Sequence, residues 1–254
     1  MIAWGGPKPN TIGSSVSNKL RRYKKDTPYS YTFGVFPSIE LLTHRPEQCT
    51  RVLVRSNAER NTGVAKLQQL CDRHDVRIEL ADKALERIGA PDNAYAVGVF
   101  NKYEQELDKE TTHVLLDGPR DMGNLGSIMR TMLAFDIRDL AIIRPAAHVF
   151  DPKAVRASMG ALFQMRVTYW DSFEDYRATY ERNYYPFIVD APTELRDTPV
   201  TDAPVTLIFG SESNGLDPSF AGVGTPLRIK QSDAIDSLNL ASSVAIALYA
   251  FAGR

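Results

Sequence analysis

Apolar and polar positions alternate in short blocks along most of this chain. From Tyr31 onward the segments "RVLVR" (51–55), "VRIEL" (76–80) and "YAVGVF" (95–100) concentrate β-branched and aromatic residues and predict strands. Between them "VAKLQQLCDRH" (64–74) spaces its apolar residues for one face of a helix. These blocks predict a small α/β domain. The stretch "NKYEQELDKETT" (101–112) is charged and has almost no apolar periodicity, so it predicts a linker or connecting helix at a domain boundary. Beyond it, "HVLLD", "LAIIRP", "MRVTYW", "PFIVDA", "VTLIFG" and "LRIK" predict strands, alternating with helices over 124–135, 172–183 and 237–251. That alternation implies a mainly parallel sheet with helices on both faces. The expected partition is an arm over 1–27, an α/β domain over 28–105 and a second domain over 111–254, with no internal repeat.

Composition narrows the picture only modestly. A chain of 254 residues, 43% hydrophobic and 24% charged, is long enough to bury a core without staples. Its 30 basic and 31 acidic side chains leave a formal charge of -1, so any polyanion must be bound by a local patch. One candidate is the arm, where Lys8, Lys19, Arg21, Arg22, Lys24 and Lys25 face only Asp26; a solvated tail explains the same run equally well. Cys49 and Cys71 lack CxxC spacing and the four histidines are scattered, which gives a zinc site or disulfide framework little support. The sequence shows neither a membrane-length apolar run nor a signal-peptide core, and the expectation is a cytoplasmic protein without membrane contact.

In open parallel sheets ligands sit beyond the carboxyl ends of strands, and three loops in such positions carry polar residues. The first follows "HVLLD": Asn124 is placed to cap a helix with a buried stripe of Leu125, Ile128, Met129, Met132 and Leu133, with Gly126 allowing close approach and Arg130 further along. A capped helix with a surface arginine is the plainer reading. The second is "TLIFGSESNGLDP" (206–218), a strand running into Gly210, Ser211, Glu212, Ser213, Asn214 and Gly215. Leu216 stands where a phosphate loop needs lysine, and neither a GxSxG elbow nor a GxGxxG fingerprint is present. The third runs from a short strand ending at Ile229 through "DAIDSLN" into a helix so apolar that it should be buried, with Ser237 or Asp236 as its cap. A subunit interface is a natural place for it.

Taken in order, N-x-G-x-x-x-R opening a helix, G-S-E-x-x-G-L after a strand, and I-x(8)-L with an embedded S-L-N resemble the SpoU (TrmH) family of RNA ribose 2'-O-methyltransferases. The resemblance covers Thr111 to the C-terminus, and the segment from "FGVFPSIELLTHRPEQCTRVLV" onward is similar, more loosely, to the RNA-binding domain that many members carry in front. It implies an α/β protein with a C-terminal knotted parallel-sheet methyltransferase domain and a smaller N-terminal α/β RNA-binding domain. It further implies S-adenosylmethionine as cofactor, a homodimer with sites assembled at the interface, and structured RNA as substrate, ribosomal RNA ahead of transfer RNA. By motif position, Phe209, Gly210, Ile229 and Leu238 should hold the cofactor, and Asn124, Arg130, Glu212, Ser237 and Asn239 should form the catalytic cluster. One departure stands out: Lys230 and Gln231 follow Ile229 where members usually have proline, so cofactor affinity is altered or Lys230 contacts RNA. The alternative function is a non-catalytic RNA-binding or ribosome-assembly protein retaining the fold.

Overall fold

The computed structural model describes residues 20–58, 61–198, 203–232 and 234–252, and the chain divides into one unit ending at Asn101 and another beginning at Lys102. The first unit runs β1 (Tyr29–Phe33), α1 (Val35–His44), β2 (Cys49–Val54), α2 (Thr62–His74), β3 (Arg77–Leu80), α3 (Asp82–Ile88) and β4 (Ala96–Asn101). Its sheet has the order β1-β4-β2-β3, with β4 antiparallel to both neighbours and β3 parallel to β2. A buried polar knuckle anchors α1 to this sheet: Ser38 Oγ donates to the Gly34 carbonyl, and the Gly98 amide donates to Thr32 Oγ1 at 2.7 Å. Leu20 is buried with Tyr31, Leu53, Leu85 and Val97, and the Tyr31 hydroxyl donates to the Arg21 carbonyl. Residues from Leu20 onward therefore lie against this unit, while the rest of the basic arm, with Lys8 and Lys19, lies outside the described residues.

The second unit contains β5 (His113–Asp117), α4 (Met122–Ala134), β6 (Asp139–Ile143), α5 (Pro152–Ala157), β7 (Arg166–Trp170), α6 (Phe173–Thr179), β8 (Asn183–Pro186), β9 (Thr193–Glu194), β10 (Val205–Phe209), β11 (Leu227–Arg228) and α7 (Leu240–Ala252). Five strands form an all-parallel sheet ordered β7-β6-β5-β10-β8. Its central strands β5, β6 and β10 are buried almost throughout, as a sheet covered on both faces requires. Residues 102–112 form neither helix nor strand, yet Leu107 is buried in the core of this unit and the Gln105 carbonyl accepts from Thr168 Oγ1. The segment is thus an extended strap on the second unit.

Three expectations from periodicity shift. The strand anticipated at "PFIVDA" lies earlier, at Asn183–Pro186, because the chain then turns from the sheet so that the Ile188 amide reaches the Leu227 carbonyl. The helix anticipated over 172–183 ends at Thr179, since Asn183 already pairs with β10. Finally, α7 buries Leu240, Val244, Ala247 and Leu248 but leaves Ile246 41% and Tyr249 73% exposed, so it is not covered all round within one chain. Among the described residues, no helix is long and apolar enough to cross a membrane.

Candidate active site

The carboxyl ends of β5 and β10 open onto a pocket of about 820 Å³ in the second unit. Its walls come from Asp121 and Asn124 on the α4 side, Phe187–Val189 after β8, Phe209–Gly215 after β10, and Ile229 with Ser237–Asn239 before α7. Parallel strands all end on this side of the sheet, which is why loops distant in sequence converge there.

Asp121, rather than Asn124, caps α4: its side chain accepts from the Asn124 amide at 2.7 Å. The difference matters chemically. A helix cap consumes its side-chain oxygen on backbone donors, whereas Asn124, three residues inside, keeps its carboxamide for the pocket. Its Nδ2 donates to Glu212 Oε1 at 3.1 Å, and its Oδ1 accepts from Asn239 Nδ2 at 3.0 Å. Glu212 also accepts from the backbone amides of Arg120 and Asp121 at 3.1 and 3.2 Å. Burial by itself raises the Glu212 pKa, but the Asn124 amide and the surrounding backbone N–H donors outweigh it, and the carboxyl lies below its ordinary range. It is ionised at neutral pH.

At the head of α7 the cap is Asn239, neither Ser237 nor Asp236: Asn239 Oδ1 accepts from the Ala241 and Ser242 amides at 2.9 and 3.3 Å. One asparagine therefore fixes the start of α7 with its oxygen and reaches Asn124 with its nitrogen. Three loops are joined by a single chain of hydrogen bonds, Glu212 to Asn124 to Asn239.

Two glycines make the close approaches behind this arrangement. A Cβ on Gly126 would lie 2.4 Å from Ala157 Cβ and 2.6 Å from the Ala154 carbonyl, so the glycine lets α4 pack against α5 instead of admitting a ligand. A Cβ on Gly210 would lie 1.9 Å from the Gly215 carbonyl carbon, so only glycine permits the chain to fold back at once after β10.

Of the residues expected from the motifs, Asn124, Glu212, Ser237 and Asn239 line the pocket, as do Phe209, Gly210, Ile229 and Leu238. Arg130 does not: it is exposed on α4, away from the lining. Lys230 turns away as well, its Nζ 3.6 Å from Glu194 Oε1, while Gln231 lines the pocket and donates to the Asp236 carbonyl at 3.2 Å. Sequence reasoning missed Asp121 and the wall from Phe187 to Val189. An aspartate three residues ahead of Asn124 is a signal that could have found the cap, whereas the wall has the pattern of ordinary strand and carries none.

The charge of the lining restricts what can bind. Among the described residues, Asp121 and Glu212 are its only ionisable side chains, with no lysine, arginine or histidine. A phosphate-bearing nucleotide would find no counter-ion, whereas a cationic or neutral nucleoside needs none. The residues present thus fit a sulfonium nucleoside, with Phe209, Gly210, Ile229 and Leu238 among the lining.

An open parallel sheet with a pocket at its carboxyl edge, bridged by Glu212, Asn124 and Asn239, defines an α/β class that binds ligands where its parallel strands end. Within it, the sequence model of the SpoU rRNA Methylase family matches residues 111–249, and the chain belongs to that family. The 23S rRNA (adenosine(1067)-2'-O)-methyltransferase of Streptomyces laurentii is 31% identical over 145 residues, covering 56% of this chain and 54% of that one. The 23S rRNA (uridine(2479)-2'-O)-methyltransferase of Streptomyces viridochromogenes is 29% identical over 197 residues, covering 72% and 67%. The chain thus spans from about half to two thirds of the length of these relatives. Among solved structures, a TrmH-family protein from Porphyromonas gingivalis superposes with a TM-score of 0.73 at 28% identity, over 88% of this chain and 89% of that one. The SpoU methyltransferase AviRb from Streptomyces viridochromogenes, solved with the cofactor AdoMet, shares the fold with a TM-score of 0.75 at 24% identity, over 89% and 90%.

Proposed function

We propose that this chain transfers a methyl group from S-adenosylmethionine to a ribose 2'-hydroxyl of structured RNA, in the cytoplasm, with ribosomal RNA ahead of transfer RNA. The observation that carries the reading is the hydrogen-bonded Glu212–Asn124–Asn239 bridge beside a pocket whose ionisable side chains are acids. When bound, the cofactor supplies a methyl group on a positively charged sulfur, which is already a good electrophile. What the protein must add is alignment of the hydroxyl and relief of its developing negative charge. Asn124 and Asn239 are held rigidly enough to orient the ribose, Ser237 adds a hydroxyl at the same rim, and the Glu212 carboxylate fixes the Asn124 amide.

Arg130 is assigned to the RNA side of the reaction. A guanidinium stays protonated and is a poor base, but its fork suits a phosphate and an incipient alkoxide. Because Arg130 is away from the pocket of its own chain, it is assigned to the site of a second copy, in a homodimer built on the exposed Ile246 and Tyr249 of α7. We assign RNA binding to the N-terminal unit, which ends at Asn101 rather than at the anticipated residue 105, and threading of the C-terminal segment through a knot to the second.

The test is methyl transfer from labelled cofactor onto separate pools of unmodified ribosomal and transfer RNA, followed by alkaline digestion. Label in alkali-resistant dinucleotides is expected from ribosomal RNA; no label in either pool, together with no binding of S-adenosylmethionine, would leave the non-catalytic RNA-binding reading. Arg130→Lys, which keeps charge but loses the fork, should lower turnover at least tenfold, and wild-type turnover would remove Arg130 from the chemistry.

A further inference from the structure

The basic run that enters the first unit is held in place. Leu20 is buried, the Tyr31 hydroxyl donates to the Arg21 carbonyl, and the Arg21 amide donates to the Tyr29 hydroxyl at 3.4 Å. Arg22 Nε lies 3.3 Å from the point a Cβ on Gly89 would occupy, over the carboxyl end of α3, where a cation is favoured. Both arginines are exposed, and among the described residues neither pairs with an acid. Arg21 stands at one end of a row of side chains that crosses the sheet: Tyr31 pairs with Val99, Val99 with Arg51 and Arg51 with Arg77. Residues directly opposite one another on neighbouring strands share a face, so Arg51 and Arg77 stand on the same side as Tyr31. The adjoining row is Phe33, Val97, Leu53 and Glu79. Glu79 is the only acid in the two rows, and both guanidinium groups turn to it, Arg77 Nη2 at 2.5 Å and Arg51 Nη1 at 3.8 Å. One carboxylate cannot neutralise two arginines, and the Arg77 side chain is 72% exposed.

We propose that this face of the first unit, edged by Arg21, Arg22, Arg51 and Arg77, is the surface on which the RNA backbone docks. The proposal rests on the RNA methyltransferase reading above and names the part of the first unit that holds the substrate. Charge complementarity carries it. A formal charge of -1 over the whole chain offers a polyanion no general attraction, whereas here four arginines gather where the two rows supply a single carboxylate. The residue type points the same way, since a guanidinium fork binds phosphate through two parallel hydrogen bonds. Neighbouring strands lie about 4.8 Å apart, so the row from Arg77 through Arg51 to Arg21 is wide enough for more than one phosphate. The opposite face of the sheet is closed: a Cβ on Gly98 would lie 2.8 Å from Leu41 of α1, and α2 packs against α1. The second-copy contact assigned to α7 involves none of these residues.

The test compares wild type with Arg21→Gln, Arg22→Gln and Arg77→Gln, singly and combined, and with Lys66→Gln, an exposed control on α2. Binding of an in-vitro-transcribed, unmodified 23S ribosomal RNA is titrated across a salt series, and S-adenosylmethionine affinity is measured in parallel by calorimetry. Each lost phosphate contact should reduce the slope of log K against log salt by about 0.7 to 0.9, so the combined variant should lose about 2 to 2.7, with cofactor affinity within about twofold of wild type. Lys66→Gln should leave the slope unchanged. Glu79→Gln removes negative charge without removing an arginine, and should tighten binding about threefold at a single salt concentration. An unchanged slope in the combined variant, or an equal loss per residue from Lys66→Gln, overturns the docking face while leaving the function standing, where the wild type itself binds and methylates the RNA. If the combined variant loses the wild-type circular dichroism spectrum, Glu79→Gln decides alone, and no gain in affinity there overturns the face. A wild type that neither binds nor methylates any RNA would instead count against the function.

Discussion

The two ends of β5 carry two polar networks, each organised around a carboxylate, and they have opposite fates. At the amino end, His113 Nε2 lies 2.8 Å from the Asp108 carbonyl, so this nitrogen must carry the hydrogen, and Nδ1 accepts from the Tyr176 hydroxyl at 2.8 Å. Tyr176 in turn meets Thr206 Oγ1 at 2.7 Å. Beside it the fully buried Asp139 accepts from Arg166 Nε at 2.6 Å, Thr111 Oγ1 at 2.6 Å and the Asp108 amide at 2.9 Å. Water cannot reach His113 or Asp139, and each finds its partners within the protein. At the carboxyl end the Glu212–Asn124–Asn239 chain is exposed, and its members keep hydrogen-bonding capacity beyond one another. A polar network that is internally complete holds strands together; one with valences to spare is where a ligand is handled.

The contrast breaks most visibly at the buried end. Arg166→Ala would leave Asp139 charged, buried and short of its main counter-ion, and the expected loss of stability is about 3–5 kcal/mol. Urea unfolding would show it as a lowered midpoint, with methyl transfer per folded molecule unchanged. Asn124→Ala should do the reverse. It removes no buried group, so the unfolding midpoint should barely move, while single-turnover methyl transfer falls by about a hundredfold, equivalent to about 2.7 kcal/mol of transition-state stabilisation. If Asn124→Ala instead unfolded the protein with intact chemistry, the division of labour between the two ends would be wrong.

How much of this could be seen in the chain alone follows from the range of the forces involved. The strands β5, β6, β7 and β10 and the parallel sheet are local in origin, set by runs such as "HVLLD" and "LAIIRP", and were legible. Helix starts were less so. Asn124 and Ser237 are plausible caps by residue type, yet Asp121 and Asn239 cap instead, because a cap is chosen by where the preceding strand delivers the chain. The exposure of Tyr249 was hidden for another reason: an apolar helix reads as buried whether its cover is the same chain or another molecule. The His113 network was invisible, since Asp108, Tyr176 and Thr206 meet it only after the sheet is assembled. The motif residues marked three of the pocket's walls, but the hydrogen bond between Glu212 and Asn124 joins residues far apart in sequence and exists only once the sheet is assembled.

Acid sharpens the comparison with a smaller effect. Burial lowers the His113 pKa from 6.5 to about 4, so the unfolded chain takes up a proton that the folded one refuses between those values. Stability should therefore be full above pH 6.5 and decline as the pH falls toward 4, by on the order of 2 kcal/mol. Glu212 and Asp139, both with lowered pKa, hold their contribution until the pH drops below their ordinary values of 4.5 and 3.8. The window from 6.5 to 5 thus separates the histidine from these two carboxyls. Urea midpoints at pH 7 and pH 5 should converge in a His113→Gln variant, and an equal acid loss there would locate the effect in another group.

The smallest expected effect tests whether the open network is also structural. Asn239 caps α7 through Oδ1 and bridges to Asn124 through Nδ2, two tasks that substitution can separate. Asn239→Asp keeps the capping oxygen, adds a charge suited to a helix N-terminus, and replaces the donor with an acceptor facing the Asn124 oxygen. Asn239→Ala removes both and should cost about 1 kcal/mol of stability. If the bridge serves catalysis alone, the aspartate variant keeps the wild-type unfolding midpoint while its turnover falls as far as that of the alanine variant. Should the aspartate lose stability like alanine, the Asn124–Asn239 contact is holding α7 in place, and the carboxyl end of the sheet would carry structural load after all.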